Sequence, residues 1–452
     1  MRSFGGDPRR TATRTVSELT PTLFPKFDLA SRPNVVAAVS GGSDSVALLL
    51  LAKAHLDRTA PGTKLLAVTV DHGLRPESAA EASGVADLCA GEGIEHRTLV
   101  WSGPKPATGL PAAGREARYR LLAAAAQEAG TDIVLTGHTR DDQAETIAMR
   151  RRRGDGHGLA GMAPATLYGG KVWIVRPLLT ATRAALRETL SARGLGWVED
   201  PSNRDMAYER ARTRAAGVDD FADEAARAAR ERMALCERVA RLLEAHATQP
   251  SPGLIRLDPE FIAAERPVAV QALRILLAVM GGAEHLAEAD RTAALYDRLA
   301  QGRLRATLSR CVVDARPAGI FLHREGRGLP APTALRGGVV WDRRFIVDGD
   351  GGLLAPLGAE HARQMKIDVA GAPQSLARAA FAAWPASWDA DGGAGPLRQV
   401  ATTGGPSATP LVTPWARFLP CFDLAAARAV AALVGAREFP PPPFAGHIAR
   451  EA

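Results

Sequence analysis

A loop of sequence SGGSDS at residues 40–45 contains the residue types that bind phosphate groups. It follows an apolar run at 35–39, which predicts a buried strand of a parallel sheet, and it precedes an apolar helix from Val46. Two adjacent glycines let the chain turn sharply, and the positive end of the helix favours an anion. No Lys-Ser or Lys-Thr pair closes the loop, so it is not a Walker-type loop. An ordinary strand–turn–helix connection is the alternative, because glycine and serine serve there too.

The same loop carries one carboxylate, Asp44, which would repel a bare phosphate. A Mg²⁺ ion that bridges the carboxylate and the phosphate oxygens removes this repulsion. The sequence therefore predicts a magnesium–phosphate site with Asp44 as the metal ligand. The predicted phosphate-binding residues are Ser40, Gly41, Gly42, Ser43, Asp44 and Ser45.

A second group of chemically active side chains consists of His138, Asp141, Asp142 and Glu145. Their spacing predicts that a helix would place all four on one face. Three carboxylates on one face repel each other unless a cation reaches them. A solvated acidic helix surface is the alternative. The group starts at the end of a predicted strand in the same sheet as the loop, and this position favours a functional site.

The elements that position these groups alternate between strand and helix from about residue 27 to residue 214, which predicts a doubly wound parallel sheet. In such sheets ligands bind outside the carboxyl ends of the strands. Three of those ends carry polar residues, namely 40–45, Asp71-His72 and Gly137-His138. The predicted strands are 35–39, 64–70, 96–101, 131–137 and 171–175, and the predicted helices include 81–91, 113–129 and 183–193.

Composition limits the class of protein. A chain of 452 residues with 46% hydrophobic content can form two or three domains. The net charge of +7, carried mainly by arginine, indicates a polyanionic partner such as nucleic acid. The four cysteines lie far apart without metal-ligand spacing, which is typical of a reducing cytoplasm. No apolar run approaches the length of a membrane span, so we expect a cytoplasmic protein without a membrane partner.

The SGGSDS loop resembles the PP-loop of N-type ATP pyrophosphatases, and together with H-x-x-D-D-x-x-E-T it makes the chain resemble the tRNA(Ile)-lysidine synthetases. Most of the region 35–214 takes part in this resemblance. The further matching segments are 70–75 (VDHGLR), 115–120 (REARYR), 158–162 (GLAGM), 176–179 (RPLL), 200–203 (DPSN) and 210–212 (RAR).

The resemblance implies an α/β fold in which a doubly wound parallel sheet, the PP-loop ATP pyrophosphatase domain, is followed by a helical domain and a small β-containing C-terminal domain. We expect a basic disordered arm at 1–26, the catalytic domain at 27–214, the helical domain at 215–330 and a small, divergent domain at 331–452. The oligomeric state stays open, a homodimer included.

The implied reaction joins free lysine to the wobble cytidine of a tRNA(Ile) with a CAU anticodon. ATP, with Mg²⁺, first adenylates the base at its C2 oxygen and releases pyrophosphate, and the lysine side-chain amine then displaces AMP. The ATP site would comprise the loop with Asp71, His72, Gly137 and His138.

Side-chain chemistry suggests how free lysine is held. Asp142 and Glu145 lie three residues apart, so we predict that they bind its ammonium groups, and that Asp141 supports the helix start or the metal. Arg118, on the predicted helix 113–129, would pair with the phosphate of the adenylate. Which carboxylate acts as the general base stays open.

A run of four arginines is predicted to contact tRNA phosphates, together with two arginines further along the chain. The alternative is a solvated basic turn. These residues are Arg150, Arg151, Arg152, Arg153, Arg210 and Arg212.

Two other functions compete with lysine ligation. A PP-loop tRNA 2-thiolation enzyme would need closely placed thiols, which the sequence lacks. A catalytically silent tRNA-binding protein would have no need of the intact loop and acidic cluster.

Overall fold

The computed structural model describes residues 16–74, 76–154, 156–199, 205–207, 209–367, 369, 371–389, 391–399 and 405–444. The chain divides into two compact units, residues 1–230 with 441–452 and residues 231–440. The domain limits predicted at 214 and 330 stay predictions.

The first unit alternates strands and helices, as the sequence predicts. Its strands are β1 (Asn34–Ala38), β2 (Lys64–Asp71), β3 (Glu95–Val100), β4 (Ile133–Leu135), β5 (Ala165–Tyr168) and β6 (Val172–Val175). Its helices are α1 (Val16–Leu23), α2 (Ser43–Thr59), α3 (Ser78–Gly91), α4 (Leu110–Glu128), α5 (Arg140–Arg152), α6 (Arg183–Ser191), α7 (Glu209–Ala215) and the start of α8 (Ala222–His246).

These six strands lie side by side in the order β5-β6-β4-β1-β2-β3. Neighbouring pairs from β6 to β3 are parallel, which confirms the predicted parallel sheet, and β5 is antiparallel to β6. Strand β1 has β2 as its neighbour on one side and β4 as its neighbour on the other. The carboxyl ends of β1 and β4 therefore meet where the strand order reverses, which is where such sheets bind ligands.

The central strands are strongly apolar because both of their faces are covered. Val35, Val36 and Ala37 of β1 have no exposed surface, nor do the three residues of β4. Helix α2 adds buried leucines such as Leu48 and Leu49. Burying one such side chain contributes about 1.5–3 kcal/mol, so this core fixes the strand ends that carry the polar loops.

The N-terminal arm predicted at 1–26 needs a correction. Helix α1 occupies Val16–Leu23, and the side chains of its last residue, Leu23, and of the next residue, Phe24, are buried. The Phe24 ring stacks on His55 of α2 with 5.1 Å between ring centroids. The segment from α1 to Phe24 is therefore folded, because the buried Phe24 side chain packs on α2, and residues 1–15 lie outside the described residues.

The second unit combines helices with antiparallel sheets. The helices are the rest of α8, α9 (Arg266–Gly281), α10 (Ala289–Leu299), α11 (Ala359–Gln364), α12 (Gln374–Ala382) and α13 (Leu424–Val434). The strands are β7 (Ala247–Ser251), β8 (Leu254–Leu257), β9 (Leu304–Leu308), β10 (Cys311–Arg316), β11 (Gly319–Arg324), β12 (Thr333–Ala334), β13 (Val339–Trp341), β14 (Phe345–Asp348), β15 (Leu353–Pro356), β16 (Pro385–Trp388), β17 (Ala394–Pro396), β18 (Ser407–Pro410) and β19 (Phe418–Pro420). The sheets have the orders β7-β8-β11-β10-β9, β12-β15-β16-β17 and β13-β14-β18.

The segment 215–330, predicted to be helical, also contains the five strands β7 to β11. The sequence pattern does not reveal these strands, because β7, of sequence ATQPS, has no apolar alternation, and because β10 and β11 are buried on both faces and so do not alternate either. Small β sheets after residue 330 agree with the prediction. None of the helices that the structure describes is long and apolar enough to cross a membrane.

Candidate active site

The loop after β1 has the geometry of an anion site. Gly41 adopts a positive φ of 83°, and Gly42 caps helix α2, which begins at Ser43. The Ser45 hydroxyl donates to the Gly42 carbonyl at 2.9 Å and accepts from the Ser40 amide at 3.1 Å. These bonds hold the turn. The Ser45 and Val46 amides donate to the Gly42 carbonyl, and the start of α2 at Ser43 presents the positive end of the helix to an anion.

Asp44 lies in the first turn of α2 with about one fifth of its side chain exposed. One carboxylate oxygen accepts from the Ser43 hydroxyl at 3.0 Å, and the other accepts from Arg183 Nε at 3.0 Å. A single carboxylate beside a phosphate-binding turn suits Mg²⁺, which usually takes one or two carboxylates plus phosphate oxygens. Asp44 and the Ser43 hydroxyl therefore fit the predicted metal.

Gly137, at the end of β4, allows the loop to approach closely. A Cβ atom built on Gly137 would lie 2.9 Å from the Asp44 carbonyl oxygen and 3.1 Å from Ser45 Cα. These are backbone atoms of the loop, so a side chain here would push the loop away. The structure thus brings Gly137 against the 40–45 loop, as expected from the sheet edge.

Helix α5 differs from the prediction at its start. Thr139 is its N-cap, and it exchanges hydrogen bonds with Asp142, whose carboxylate accepts from the Thr139 amide at 2.9 Å. His138 therefore precedes the helix, and the prediction that it shares a helical face with the three carboxylates is wrong. The physical reason is the cap, which fixes Thr139 in an extended conformation with φ −106° and ψ 175°.

The three carboxylates of α5 have different partners. Asp141 accepts from the backbone amide of Arg183 at 2.8 Å, so it supports the start of a helix, but that helix is α6. Asp142 and Glu145 are buried, with 9% and 2% of their surface exposed. Burial acts to raise the pKa of Asp142, but Arg210 and the Thr139 amide outweigh it and lower this pKa.

Cations from the chain itself neutralise the acidic cluster. Glu145 accepts from Arg210 Nε at 2.9 Å and from Arg214 Nε at 2.7 Å, while Asp142 accepts from Arg183 Nη2 at 3.2 Å. The spacing of the carboxylates predicts only that a cation must reach them, and it does not indicate that Arg183 and Arg214 supply it. The run 210–214 offered a signal, because its arginines recur at helical spacing on α7.

Two histidines lie near the strand ends. Burial, and next the charge of Arg176, lowers the pKa of His138 to about 3, so its imidazole is neutral at pH 7. Burial, and next the charge of Arg118, lowers the pKa of the His72 imidazole. Arg118 Nη2 lies 3.4 Å from His72 Nε2, so the structure brings these two predicted residues together.

Asp71, beside His72, accepts from the Gly73 amide at 2.7 Å. This bond lowers the pKa of Asp71 and keeps the carboxylate ionised. The carboxyl ends of β1, β2 and β4 thus carry the residues expected there.

The arginines predicted to bind tRNA all have partners within the chain. Arg150 donates to the Gly158 and Gly161 carbonyls, and Arg212 donates to two backbone carbonyls of the turn before α7. Arg151 pairs with Glu224 at 2.5 Å, while Arg152 bonds the Thr213 hydroxyl and Arg153 pairs with Glu209.

The side chains of Arg151, Arg152 and Arg153 are 49%, 52% and 65% exposed. These three arginines can therefore also contact a ligand from solvent. Arg210, in contrast, contacts the acidic cluster. The DPSN segment at 200–203 lies outside the described residues.

The doubly wound sheet with its SGGSDS loop at the strand reversal defines a PP-loop protein, and the PP-loop domain family matches residues 11–219. Similarity over most of the chain identifies a narrower family within the PP-loop proteins. The curated tRNA(Ile)-lysidine synthase of Mesorhizobium japonicum is 53% identical over 96% of this chain and 99% of that protein. The tRNA(Ile)-lysidine synthase of Rhizobium meliloti is 38% identical over 90% of this chain and 93% of that protein. The tRNA(Ile)-lysidine synthase of Brucella ovis is 42% identical over 76% of this chain and 81% of that protein. The chain belongs to the tRNA(Ile)-lysidine synthase family.

Three of the four cysteines do not favour the sulfur-transfer alternative. Cys89, Cys236 and Cys311 are buried. Burial raises the pKa of Cys89 to about 11 and that of Cys311 to about 12, and it also raises the pKa of Cys236. A thiol that stays protonated is a poor sulfur carrier.

Proposed function

We propose that this protein ligates free lysine to the wobble cytidine of a tRNA(Ile) with a CAU anticodon and converts ATP to AMP and pyrophosphate in the cytoplasm. The observation that carries this proposal is the position of the carboxylates Asp44, Asp142 and Glu145 around one point beside the 40–45 loop. Membership of the family supports it.

In the first step, the C2 oxygen of the cytidine attacks the α-phosphate of ATP, and pyrophosphate leaves. The 40–45 loop and the N-terminus of α2 bind the phosphates through amides and hydroxyls. Asp44 would hold Mg²⁺, which neutralises the phosphate charge when it is bound. Arg118 has its guanidinium at the end of β2 beside His72, where it would contact the phosphate of the adenylated base.

In the second step, the side-chain amine of lysine attacks C2, and AMP leaves with the former C2 oxygen. Asp142 and Glu145 would bind the two ammonium groups of lysine. The attacking amine must first lose a proton, and a carboxylate of this pair would accept it. Water is kept from these groups by their burial.

The exposed arginines 151–153 would contact tRNA phosphates. They extend from the C-terminal end of α5, whose N-terminal end carries the acidic cluster. The same helix therefore connects the amino-acid site to the basic run.

The test is tRNA-dependent chemistry with purified protein. We expect AMP release to require a tRNA(Ile) transcript with a CAU anticodon, and labelled lysine to enter that tRNA when ATP is present. A transcript in which uridine replaces the wobble cytidine is the matched control. AMP release and lysine transfer that are equal with both transcripts, or absent with both, would refute the proposal.

A further inference from the structure

Arg183 makes contacts that no step above has used. It is the first residue of α6, and its guanidinium lies between α2 and α5. Nε contacts Asp44 at 3.0 Å, Nη2 contacts Asp142 at 3.2 Å, and Nη1 lies 3.8 Å from Glu145. Each of its three nitrogens therefore faces a different carboxylate of the proposed site.

These three carboxylates are the groups that would bind the substrate cations. Asp44 is the proposed ligand to Mg²⁺, while Asp142 and Glu145 are the proposed ligands to lysine. Three carboxylates face three guanidinium groups, those of Arg183, Arg210 and Arg214, so their formal charges already cancel. An added ammonium group would leave surplus positive charge in a partly buried site unless one guanidinium moves, and a metal ion would compete with Arg183 for the Asp44 carboxylate.

Arg183 is the guanidinium best placed to move. Its contact with Glu145, at 3.8 Å, is longer than those of Arg210 and Arg214, at 2.9 and 2.7 Å. Its backbone is held by Asp141, which accepts from the Arg183 amide at 2.8 Å, so the side chain can change rotamer while α6 stays in place. Its side chain is 18% exposed, less than those of Arg210 and Arg214 at 39% and 35%, but of the three it is the one that contacts Asp44 beside the 40–45 loop, so a bound phosphate would offer it a new partner.

We propose that Arg183 is a positioning residue that occupies the cation positions of both substrates and couples their binding. This proposal rests on the proposed function. When Mg²⁺–nucleotide binds Asp44, the guanidinium leaves this carboxylate, and its hold on Asp142 and Glu145 is weakened. Lysine then binds more tightly, and by thermodynamic reciprocity lysine strengthens nucleotide binding by the same factor.

The experiment measures the dissociation constant of free lysine by calorimetry, with and without Mg²⁺ and a non-hydrolysable ATP analogue, in the absence of tRNA. For the wild type we expect nucleotide to tighten lysine binding by about 5- to 150-fold, the usual range of such coupling. In Arg183→Gln, lysine should bind tightly without nucleotide, and the coupling factor should fall to about one. Arg183→Lys keeps the charge and should retain part of the coupling.

Arg193→Gln is the matched control because this arginine lies just beyond α6 and pairs with Glu92 at 2.7 Å, away from the acidic cluster. It should behave as the wild type, and the thermal midpoint of every variant shows whether it is folded. Two results would overturn the role of Arg183: wild-type coupling that persists in a folded Arg183→Gln protein, or weaker lysine binding in that variant. If wild-type protein transfers lysine to tRNA but nucleotide leaves its lysine affinity unchanged, the coupling is refuted while the proposed function stands.

Discussion

Replacing Gly137 by alanine tests whether the close approach of β4 to the phosphate loop is needed for nucleotide chemistry. The new Cβ would lie 2.9, 3.0 and 3.1 Å from the Asp44 carbonyl oxygen, the Asp44 carbonyl carbon and Ser45 Cα. Ordinary contacts between such atoms are about 3.5–4.0 Å, so the loop would have to shift by roughly 0.5–1 Å. A misplacement of about 1 Å can cost on the order of 100-fold in rate.

We therefore expect Gly137→Ala to lower kcat/KM for ATP by about 10- to 100-fold in tRNA-dependent AMP release. Overpacking should also reduce the free energy of unfolding by about 1–3 kcal/mol. Gly84→Ala is the matched control, because a Cβ on this α3 residue meets nothing within 4 Å and should be neutral or slightly stabilising. A folded Gly137→Ala protein that keeps the wild-type kcat/KM would refute the argument from close approach.

Four further predictions follow from the site. Asp44→Ala should abolish AMP release and leave tRNA affinity, measured by filter binding, largely intact; normal turnover would remove Asp44 from the metal site. Glu145→Gln or Asp142→Asn should raise the KM for lysine steeply and spare adenylation, and unchanged lysine kinetics would place the amino-acid site elsewhere. Replacing the arginines 151–153 by alanine should make the slope of log K against log salt shallower by about 0.7–0.9 per lost phosphate contact. An unchanged slope would mean that the run only forms its ion pairs with α7 and α8. Since the pKa of His138 is lowered to about 3 by burial, the unfolded state binds a proton that the native state does not bind between about pH 6.5 and pH 3. Stability should thus decrease as the pH is lowered from about 6.5 to 3, and His138→Gln should flatten part of this decrease in the free energy of unfolding measured by chemical denaturation. An identical pH profile for both proteins would contradict this.

The parallel sheet and the 40–45 loop could be predicted because each is indicated by residues that are neighbours in the sequence. The run at 35–39 is apolar throughout, and it is a strand covered on both faces. Parallel topology then places the ends of β1 and β4 next to each other, which is why the loop and Gly137 could be expected at one site. Thr139 is a further local signal, because threonine is a favoured N-cap, and it places the start of α5 after His138.

The charge balance of the site could not be predicted in the same way. Asp44 pairs with Arg183, and Glu145 pairs with Arg210 and Arg214, across long stretches of sequence. Such pairs depend on how the helices α2, α5, α6 and α7 pack together. The periodicity of apolar residues in the sequence does not predict that packing. A cluster of carboxylates in a sequence indicates that cations are needed, and only the structure shows that the chain supplies them.

Nucleoside analysis determines whether the protein converts the wobble cytidine to lysidine, as proposed above. A tRNA(Ile) transcript with a CAU anticodon is incubated with the protein, ATP and lysine, then digested to nucleosides and examined by mass spectrometry. We predict a new nucleoside with the mass of cytidine plus lysine minus one water, formed only when ATP and lysine are both present. A transcript whose cytidines are all unmodified, under conditions in which the protein is folded and binds the tRNA, would contradict the assignment.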